Sequence, residues 1–306
     1  MNYSIVIPVF KSQNVVSNTV EQLLKVIKDN NFKAEILLIN DGSPDESWKI
    51  ISKLARDYEN VKAINLLKNY GQHNAIMCGF QYAGGNYVIT MDDDLQNPPG
   101  EITKLIEKIE DSECDLVFGQ FIEKKHAIYR NLGSKLVGYL NNKIFKKPEN
   151  IVLSNFRIIR KDLIDRVLSH RTAYPYVPGL LLLYSGNMAN VLVQHQARHC
   201  GKSNYTIRRI LSLVSRLLIN YSSYPLRLVS GIGLLVAASS FFIGVFFLLH
   251  GIIYGSNVPG WTSLAVLISF LGGFIIALLA LIGEYLSRIL NQLSSNNMYH
   301  IKEIIE

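Results

Sequence analysis

The chain has 306 residues, enough for one or two domains, and 49% of them are hydrophobic, a high share for a soluble enzyme. Its three cysteines, Cys78, Cys114 and Cys200, are widely spaced, which excludes a disulfide framework and a clustered zinc motif and fits a reducing cytosol. The formal net charge is +7, but no nucleic-acid recognition motif accompanies it, so we expect no nucleic-acid partner.

The first part of the chain alternates strand and helix patterns. In chain order we predict a strand over residues 3–9, a helix over 16–27, a strand over 35–39, a helix over 46–58, a strand over 62–66, a helix over 72–83 and strands over 87–91 and 116–118. Such alternation implies a mainly parallel sheet covered on both faces. Ligands of these sheets bind beyond the carboxyl ends of the strands.

An acidic run follows the strand predicted over residues 87–91. Asp92, Asp93 and Asp94 come where a buried strand reaches the surface, and packing alone does not explain three like charges there. A divalent cation would offset their repulsion, and hard oxygen ligands favour Mg²⁺ or Mn²⁺, which usually share their coordination with substrate phosphates. The run therefore predicts a site for a metal-bound diphosphate, although Asp93 could also be only a solvated neighbour.

A long uncharged region follows later in the chain. No Asp, Glu, Lys or Arg occurs between Arg227 and Glu284, and two apolar stretches there each exceed the ~20 residues of a membrane-spanning helix. A turn signal over residues 255–260 separates them. Basic residues flank the pair but are absent from the loop, so the positive-inside rule predicts cytoplasmic termini. We expect a multi-pass protein of the inner or plasma membrane, with anionic lipids near its basic residues.

Basic amphipathic helices are predicted over residues 129–147 and 206–220. Both could lie in the membrane interface, and a solvated helix packed on the sheet is the alternative. The expected domains are a cytoplasmic catalytic domain over 1–205, a juxtamembrane amphipathic helix over 206–227, a transmembrane hairpin over 228–286 and a cytoplasmic tail over 287–306.

Nine short segments resemble the polyprenyl-phosphate glycosyltransferases of glycosyltransferase family 2, a group that includes the dolichyl-phosphate mannose synthases. The segments are residues 7–10, 40–43, 69–73, 92–99, Arg130 with Ser134, Phe156 with Arg157, Arg198 with 201–203 and Tyr205, 225–227 and 283–285. The resemblance covers nearly the whole chain. It implies a GT-A-type, Rossmann-like, mainly parallel α/β sheet, followed by amphipathic interfacial helices and two transmembrane helices.

The resemblance also implies site residues. They are Pro8, Phe10 and Asp41 in the nucleotide pocket; Gln72, Asp93, Arg198, Lys202 and Ser203 as further donor contacts; Asp92, Asp94 and Gln96 at the metal and diphosphate; and Arg130 and Ser134 at the lipid phosphate. Asp92, Asp94 and Arg130 would be the catalytic residues. Two structural alternatives stay open, in which Asp41 is a turn former and Arg130 extends from a membrane-lying helix.

The chain departs from the family pattern at Asn155. Relatives often read Gly-Asp-Phe-Arg where this chain reads Ser-Asn-Phe-Arg, so a base at this position is in doubt. A lipid monophosphate has its second pKa near ~6, is mostly dianionic at neutral pH and needs no deprotonation. The hypothesis is a single inverting displacement that moves a sugar from a nucleotide sugar, with UDP-hexose favoured over GDP-mannose, to undecaprenyl or dolichyl phosphate.

Two other functions stay open. A processive polysaccharide synthase usually carries a Gln-x-x-Arg-Trp motif, but Trp48 and Trp261 both lie outside such a context. A non-catalytic lipid-binding membrane scaffold would not need the acidic motif. The favoured function belongs to cell-surface glycan or O-antigen-type modification of lipopolysaccharide, and the resemblance suggests a homo-oligomer such as a tetramer.

Overall fold

The structure is a computed structural model that describes residues 2–121, 138–170, 172, 174–194, 196, 260–294 and 299–306, with isolated residues between 214 and 253. The chain divides into two compact units. The first unit is Met1–Ile207 together with Ser295–Glu306, and the second is Arg208–Ser294.

The first unit alternates strands and helices. Its strands are β1 Tyr3–Val9, β2 Ala34–Asn40, β3 Val61–Leu66, β4 Tyr87–Thr90, β5 Leu116–Phe121, β6 Arg157–Arg160, β7 Met188–Val193 and β8 Ile301–Ile305. Its helices are α1 Val16–Asp29, α2 Ser47–Asp57, α3 Gln72–Tyr82, α4 Ile102–Glu110, α5 Lys161–Ser169 and α6 Val177–Tyr184, with a short 3₁₀ turn at Pro99–Glu101 before α4. Residues 138–145 are also helical.

The strands form one eight-stranded mixed sheet in the order β7-β5-β6-β4-β1-β2-β3-β8. Strand β1 pairs in parallel with β2 and β4, and β2 pairs in parallel with β3, as the alternating pattern predicts. The outer part departs from that prediction, because β6 runs antiparallel to β4 and β5. The chain leaves β1 toward β2 on one side and later returns to β4 on the other, so the strand order reverses beside β1, the place where ligands of open α/β sheets usually bind.

Helix α3 lies unusually close to the central strand. A Cβ atom added at Gly79 would lie 2.2 Å from Cγ1 of Val6, so a side chain at position 79 would push α3 away from β1. Residues Val6 and Gly79 are both fully enclosed in the core. This close packing fixes the N-terminus of α3 beside the carboxyl ends of β1 and β4.

The C-terminal residues form a strand that the sequence patterns do not predict. Strand β8 pairs antiparallel with β3, and the backbone N–H of Leu67 donates to the carbonyl oxygen of His300 at 2.8 Å. The Tyr299 hydroxyl also hydrogen-bonds Oε1 of Gln81 on α3. Part of the expected tail over residues 287–306 therefore belongs to the catalytic sheet.

The second unit contains helix α7, Trp261–Ser294, of 34 residues. Taken over the described residues alone, no helix of the chain is long and apolar enough to cross a membrane. The predicted transmembrane hairpin and the amphipathic helix over 206–220 stay predictions from the sequence.

Candidate active site

The candidate site lies where β1, β2 and β4 end and α3 begins. Pro8 is partly buried near the end of β1, and the Phe10 side chain just beyond it is 43% exposed. An exposed aromatic ring at the carboxyl end of a central strand offers a surface on which a nucleobase can stack. The structure therefore locates both residues at the edge where a nucleotide pocket is predicted.

Asp41 joins two loops of this edge. It directly follows β2 and is buried, and its carboxylate accepts hydrogen bonds from the backbone N–H groups of Tyr70 at 2.7 Å and Gly71 at 3.0 Å. The Asn69 side-chain amide donates to the Asp41 carbonyl oxygen at 3.1 Å. Burial raises the pKa of Asp41, whereas the two backbone hydrogen bonds lower it. Asp41 thus organises the loop before α3, a longer-range contact than a local turn requires.

Gly42 allows the two loops to approach. Its φ is +58°, and an added Cβ would lie 2.4 Å from the carbonyl carbon of Lys68. Both the left-handed backbone and the lack of space favour glycine at this position. Asp41 and Gly42 therefore hold two loops together, in addition to favouring a local turn.

The acidic run follows β4 after one intervening residue, Met91, and is hydrogen-bonded to α3. The Gln72 side chain, at the first residue of α3, donates from Nε2 to Oδ1 of Asp92 at 2.7 Å. The backbone N–H of Gln96 donates to Oδ1 of Asp94 at 3.1 Å, and Leu95 between them has φ +58°. A left-handed leucine is a strained conformation that the surrounding contacts must hold, and such strain is frequent at functional sites.

Burial and mutual repulsion act on these carboxylates. Burial raises the pKa of Asp92, and the charge of Asp94 raises it further, whereas the side chains of Asn155, Arg157 and Gln72 oppose the rise. Burial also raises the pKa of Asp93 to about 7, against a hydrogen bond from Ser12.

These carboxylates fit a cation. In the described part of the chain, Oδ2 of Asp93 is buried without a hydrogen-bond partner. A cation nearby would stabilise the charged forms, so the local chemistry matches the predicted Mg²⁺ or Mn²⁺. Within the described ranges, no group of three or more His, Cys, Asp or Glu side chains could hold a metal ion. Asp92, Asp94 and Gln96 would therefore need oxygens from a ligand or water to complete a coordination shell.

Strand β6 supports the acidic run from the side opposite β1. The Thr90 hydroxyl at the end of β4 donates to the carbonyl oxygen of Asn155 at 2.6 Å and accepts from Nε of Arg157 at 3.1 Å. Arg157 is fully buried. The sequence motif includes Arg157 without giving it a role, and the antiparallel pairing of β4 with β6 is the signal that brings it here.

The segment after β7 also reaches the acidic run. The backbone N–H of Gln196 donates to the carbonyl oxygen of Gln96 at 3.0 Å, and that of Gln194 donates to Oε2 of Glu101 at 2.9 Å. The loop predicted to carry donor contacts therefore begins next to Gln96. Five predicted site residues lie outside the described residues: Arg130, Ser134, Arg198, Lys202 and Ser203.

A mixed α/β sheet of this topology, with an acidic run at the carboxyl end of β4, defines a GT-A-like enzyme. Comparison with known proteins agrees with this class. Residues 4–168 match the family model described as Glycosyl transferase family 2. The chain belongs to glycosyl transferase family 2, and it is a glycosyltransferase.

Its relatives include bacterial lipid-phosphate transferases. Undecaprenyl-phosphate 4-deoxy-4-formamido-L-arabinose transferase of Proteus mirabilis is 31% identical over 306 residues, which cover 99% of this chain and 93% of that protein. The protein of the same name from Photorhabdus laumondii is 30% identical and is covered to 94%, again with 99% of this chain. The resemblance to the polyprenyl-phosphate group of the family is thereby confirmed.

A solved structure shares the fold. Glucosyl-3-phosphoglycerate synthase from Mycobacterium tuberculosis, in complex with Mn²⁺, UDP-glucose and phosphoglyceric acid, is 14% identical with a TM-score of 0.54. The similarity covers 71% of this chain and 77% of that one. At this identity the likeness concerns the fold alone.

Proposed function

We propose that the chain transfers a sugar from a nucleotide sugar to a polyprenyl phosphate at the cytoplasmic face of a membrane, with inversion at the anomeric carbon. One observation carries the proposal. The acidic run after β4 is hydrogen-bonded to the N-terminus of α3, where Asp41 organises the adjoining loop, so the nucleotide pocket and the diphosphate site that we propose would adjoin each other. The names of the relatives in Proteus and Photorhabdus supply the acceptor class.

The donor is a nucleoside diphosphate sugar, with UDP-hexose favoured. Pro8, Phe10 and Asp41 would line the nucleoside pocket, and Asp92 and Asp94, with Gln96, would hold Mg²⁺ or Mn²⁺. When bound, such a cation offsets the negative charge that develops on the departing nucleoside diphosphate. The solved relative of the same fold that carries Mn²⁺ and UDP-glucose supports this choice of ligands.

The acceptor phosphate needs placement more than activation. Near neutral pH the phosphomonoester is mostly dianionic and already carries a nucleophilic oxygen. Asn155 cannot serve as a base, which is compatible with such an acceptor. Arg130 and Ser134 would hold the attacking phosphate, and Arg198, Lys202 and Ser203 would contact the donor phosphates. The remaining task of the site is to bring two highly charged groups together in line.

Membrane attachment would bring the acceptor to the site. The sequence predicts a transmembrane hairpin over residues 228–286, with basic residues on its cytoplasmic side. A polyprenyl phosphate presents its head group at the same surface. We propose an inner-membrane or plasma-membrane protein that contacts anionic lipids and assembles as a homo-oligomer, for cell-surface glycan synthesis of the lipopolysaccharide type.

The test uses the full chain in lipid nanodiscs. Undecaprenyl phosphate is incubated with UDP-glucose, UDP-N-acetylglucosamine, UDP-4-deoxy-4-formamido-L-arabinose or GDP-mannose, with Mn²⁺ or with EDTA, and the lipid product is weighed by mass spectrometry. We expect one UDP-sugar to yield glycosylated undecaprenyl phosphate. EDTA should abolish formation of this product. Asp94→Asn should abolish turnover in a folded protein, whereas Asp111→Asn, in the turn after α4, should retain it. Turnover by Asp94→Asn at the normal rate, or a product formed equally well in EDTA, would refute the metal assignment.

A further inference from the structure

Arg157 is an unusual core residue. It is fully buried and is the bulkiest of the fully buried side chains in the described part of the chain. Its Nε donates to Thr90, but Nη1 and Nη2 have no hydrogen-bond partner among the described residues. A buried guanidinium with unmade hydrogen bonds is costly, so its presence requires a compensating interaction.

The strand register directs Arg157 toward the acidic run. Thr90 is paired with Arg157 across the antiparallel strands β4 and β6, and their side chains are bonded to each other. The Thr90 hydroxyl also donates to the carbonyl oxygen of Asn155 at 2.6 Å, and Asp92 follows Thr90 by two residues in the chain. The guanidinium of Arg157 is therefore held at the end of β4, just before the acidic run begins.

The charges of the two groups are coupled. Burial lowers the pKa of Arg157 to about 10, and the negative charge of Asp92 opposes this shift, with a smaller contribution from Tyr176. The guanidinium is therefore positively charged at neutral pH. The Arg157 charge in turn opposes the rise in the pKa of Asp92. The compensating interaction of this buried cation is thus electrostatic attraction to the acidic run.

We propose that Arg157 is the resident counter-charge of the acidic run: it offsets the charge of Asp92 while no cation is bound and competes with the cation when one binds. The inference rests on the proposed metal-dependent transfer. Because Arg157 is fully buried, it acts through Asp92 and is a positioning residue that does not touch the substrate. A built-in positive charge makes the site bind its cation less tightly than the carboxylates alone would, which favours release of the cation with the nucleoside diphosphate after transfer.

The test measures Mn²⁺ affinity by electron paramagnetic resonance of the unbound ion, with saturating UDP and the full chain in nanodiscs. Arg157→Met removes the charge and keeps most of the apolar length, and Arg157→Lys keeps the charge. The matched control is Arg166→Met, which removes an arginine from the exposed ion pairs with Asp115 and Asp162.

We expect Arg157→Met to bind Mn²⁺ about tenfold more tightly, since one nearby positive charge is removed from a partly shielded site. Arg157→Lys and Arg166→Met should stay within about twofold of the original chain. Arg157→Gln gives a second neutral variant should the methionine variant not fold, and it should tighten Mn²⁺ binding in the same direction.

A structural role alone predicts a different result. If Arg157 only fills space, its neutral variants should bind Mn²⁺ equally or more weakly because the site loosens, and either outcome overturns the inference. Equal tightening in Arg157→Lys and Arg157→Met would also overturn it, since charge would then be irrelevant. Failure of the original chain to bind Mn²⁺ with UDP would instead contradict the proposed function, so the two failures are distinguishable.

Discussion

The backbone N–H of Tyr70 donates a 2.7 Å hydrogen bond to Oδ1 of Asp41, and this contact joins the loop after β3 to the end of β2. The Tyr70 ring also lies 6.5 Å from the ring of His300, the residue before β8. A single loop thus connects the carboxylate at the predicted nucleotide pocket with the C-terminal strand. Substitutions at either end of this connection should alter nucleotide binding at the donor site.

Asp41→Asn should weaken nucleotide binding and stability together. In the original chain the two carboxylate oxygens of Asp41 accept the backbone N–H groups of Tyr70 and Gly71. The asparagine oxygen could accept only one of these hydrogen bonds, and its amide NH₂ group would face the other N–H without bonding to it. We expect UDP affinity to fall about tenfold and unfolding free energy to fall by about 1–2 kcal/mol. Titration calorimetry with UDP and thermal unfolding by circular dichroism give the two values.

Asp45→Asn is the matched control for that substitution. Asp45 also accepts backbone N–H groups, from Ser47 at 3.2 Å and Gln13 at 3.4 Å, near the start of α2. Its replacement should cost some stability and leave UDP affinity unchanged. Equal loss of UDP affinity in the two variants would mean that Asp41 has no special place in the pocket.

Gln72→Ala should lower turnover with little loss of stability. The Gln72 amide is exposed, and its donation to Asp92 orients a predicted metal ligand from outside the core. Loss of such a supporting hydrogen bond commonly costs about tenfold in activity or metal affinity. Gln22→Ala on α1, which removes an exposed bond to Asn18, is the control and should retain activity. Steady-state rates with lipid phosphate check the prediction. Thermal unfolding midpoints of the two variants show whether any loss of turnover comes without a loss of stability.

The raised pKa of Asp93 predicts how the stability of the metal-free protein depends on pH. Burial raises the folded-state pKa of Asp93 from 3.8 to about 7, so the folded chain keeps a proton there that the unfolded chain has lost. Between these two pKa values, stability falls as pH rises, because the folded state binds more protons. In EDTA we expect the thermal midpoint to decline from pH 5 to pH 7, and Asp93→Asn should flatten the decline.

The control for the pH prediction again uses Asp45. Burial raises the pKa of Asp45, but hydrogen bonds from Ser47 and Gln13 together outweigh it and lower the pKa from 3.8, so Asp45 is ionised throughout this pH range. Asp45→Asn should therefore leave the slope between pH 5 and pH 7 unchanged. A midpoint that rises with pH in EDTA, for the original chain, would show that Asp93 is not the governing carboxyl group.

The sequence predicts the sheet best where neighbours in sequence are also neighbours in space. Strands β1 to β4 and helices α1 to α3 follow local patterns, and their predicted bounds agree with the structure to within one or two residues. The sequence patterns do not predict strand β6, because it is short and carries an arginine at each end, and its strand character depends on pairing with β4. The role of Asn155 stays open for a different reason, because asparagine stands where the family pattern often has aspartate and it cannot act as a base.

Strand β8 offers a final test of how the C-terminus stabilises the catalytic sheet. Ile305 is partly buried against the core, whereas the neighbouring Ile304 is 36% exposed, as expected for residues on opposite faces of one strand. Ile305→Lys should lower the unfolding free energy by about 2 kcal/mol through lost apolar burial, and Ile304→Lys should stay within about 0.5 kcal/mol. Because β8 adjoins the Tyr70 loop through His300, Ile305→Lys should also weaken UDP binding. Equal effects of the two lysines on thermal unfolding would mean that β8 does not dock in this register, and the C-terminal residues would then lie outside the catalytic sheet.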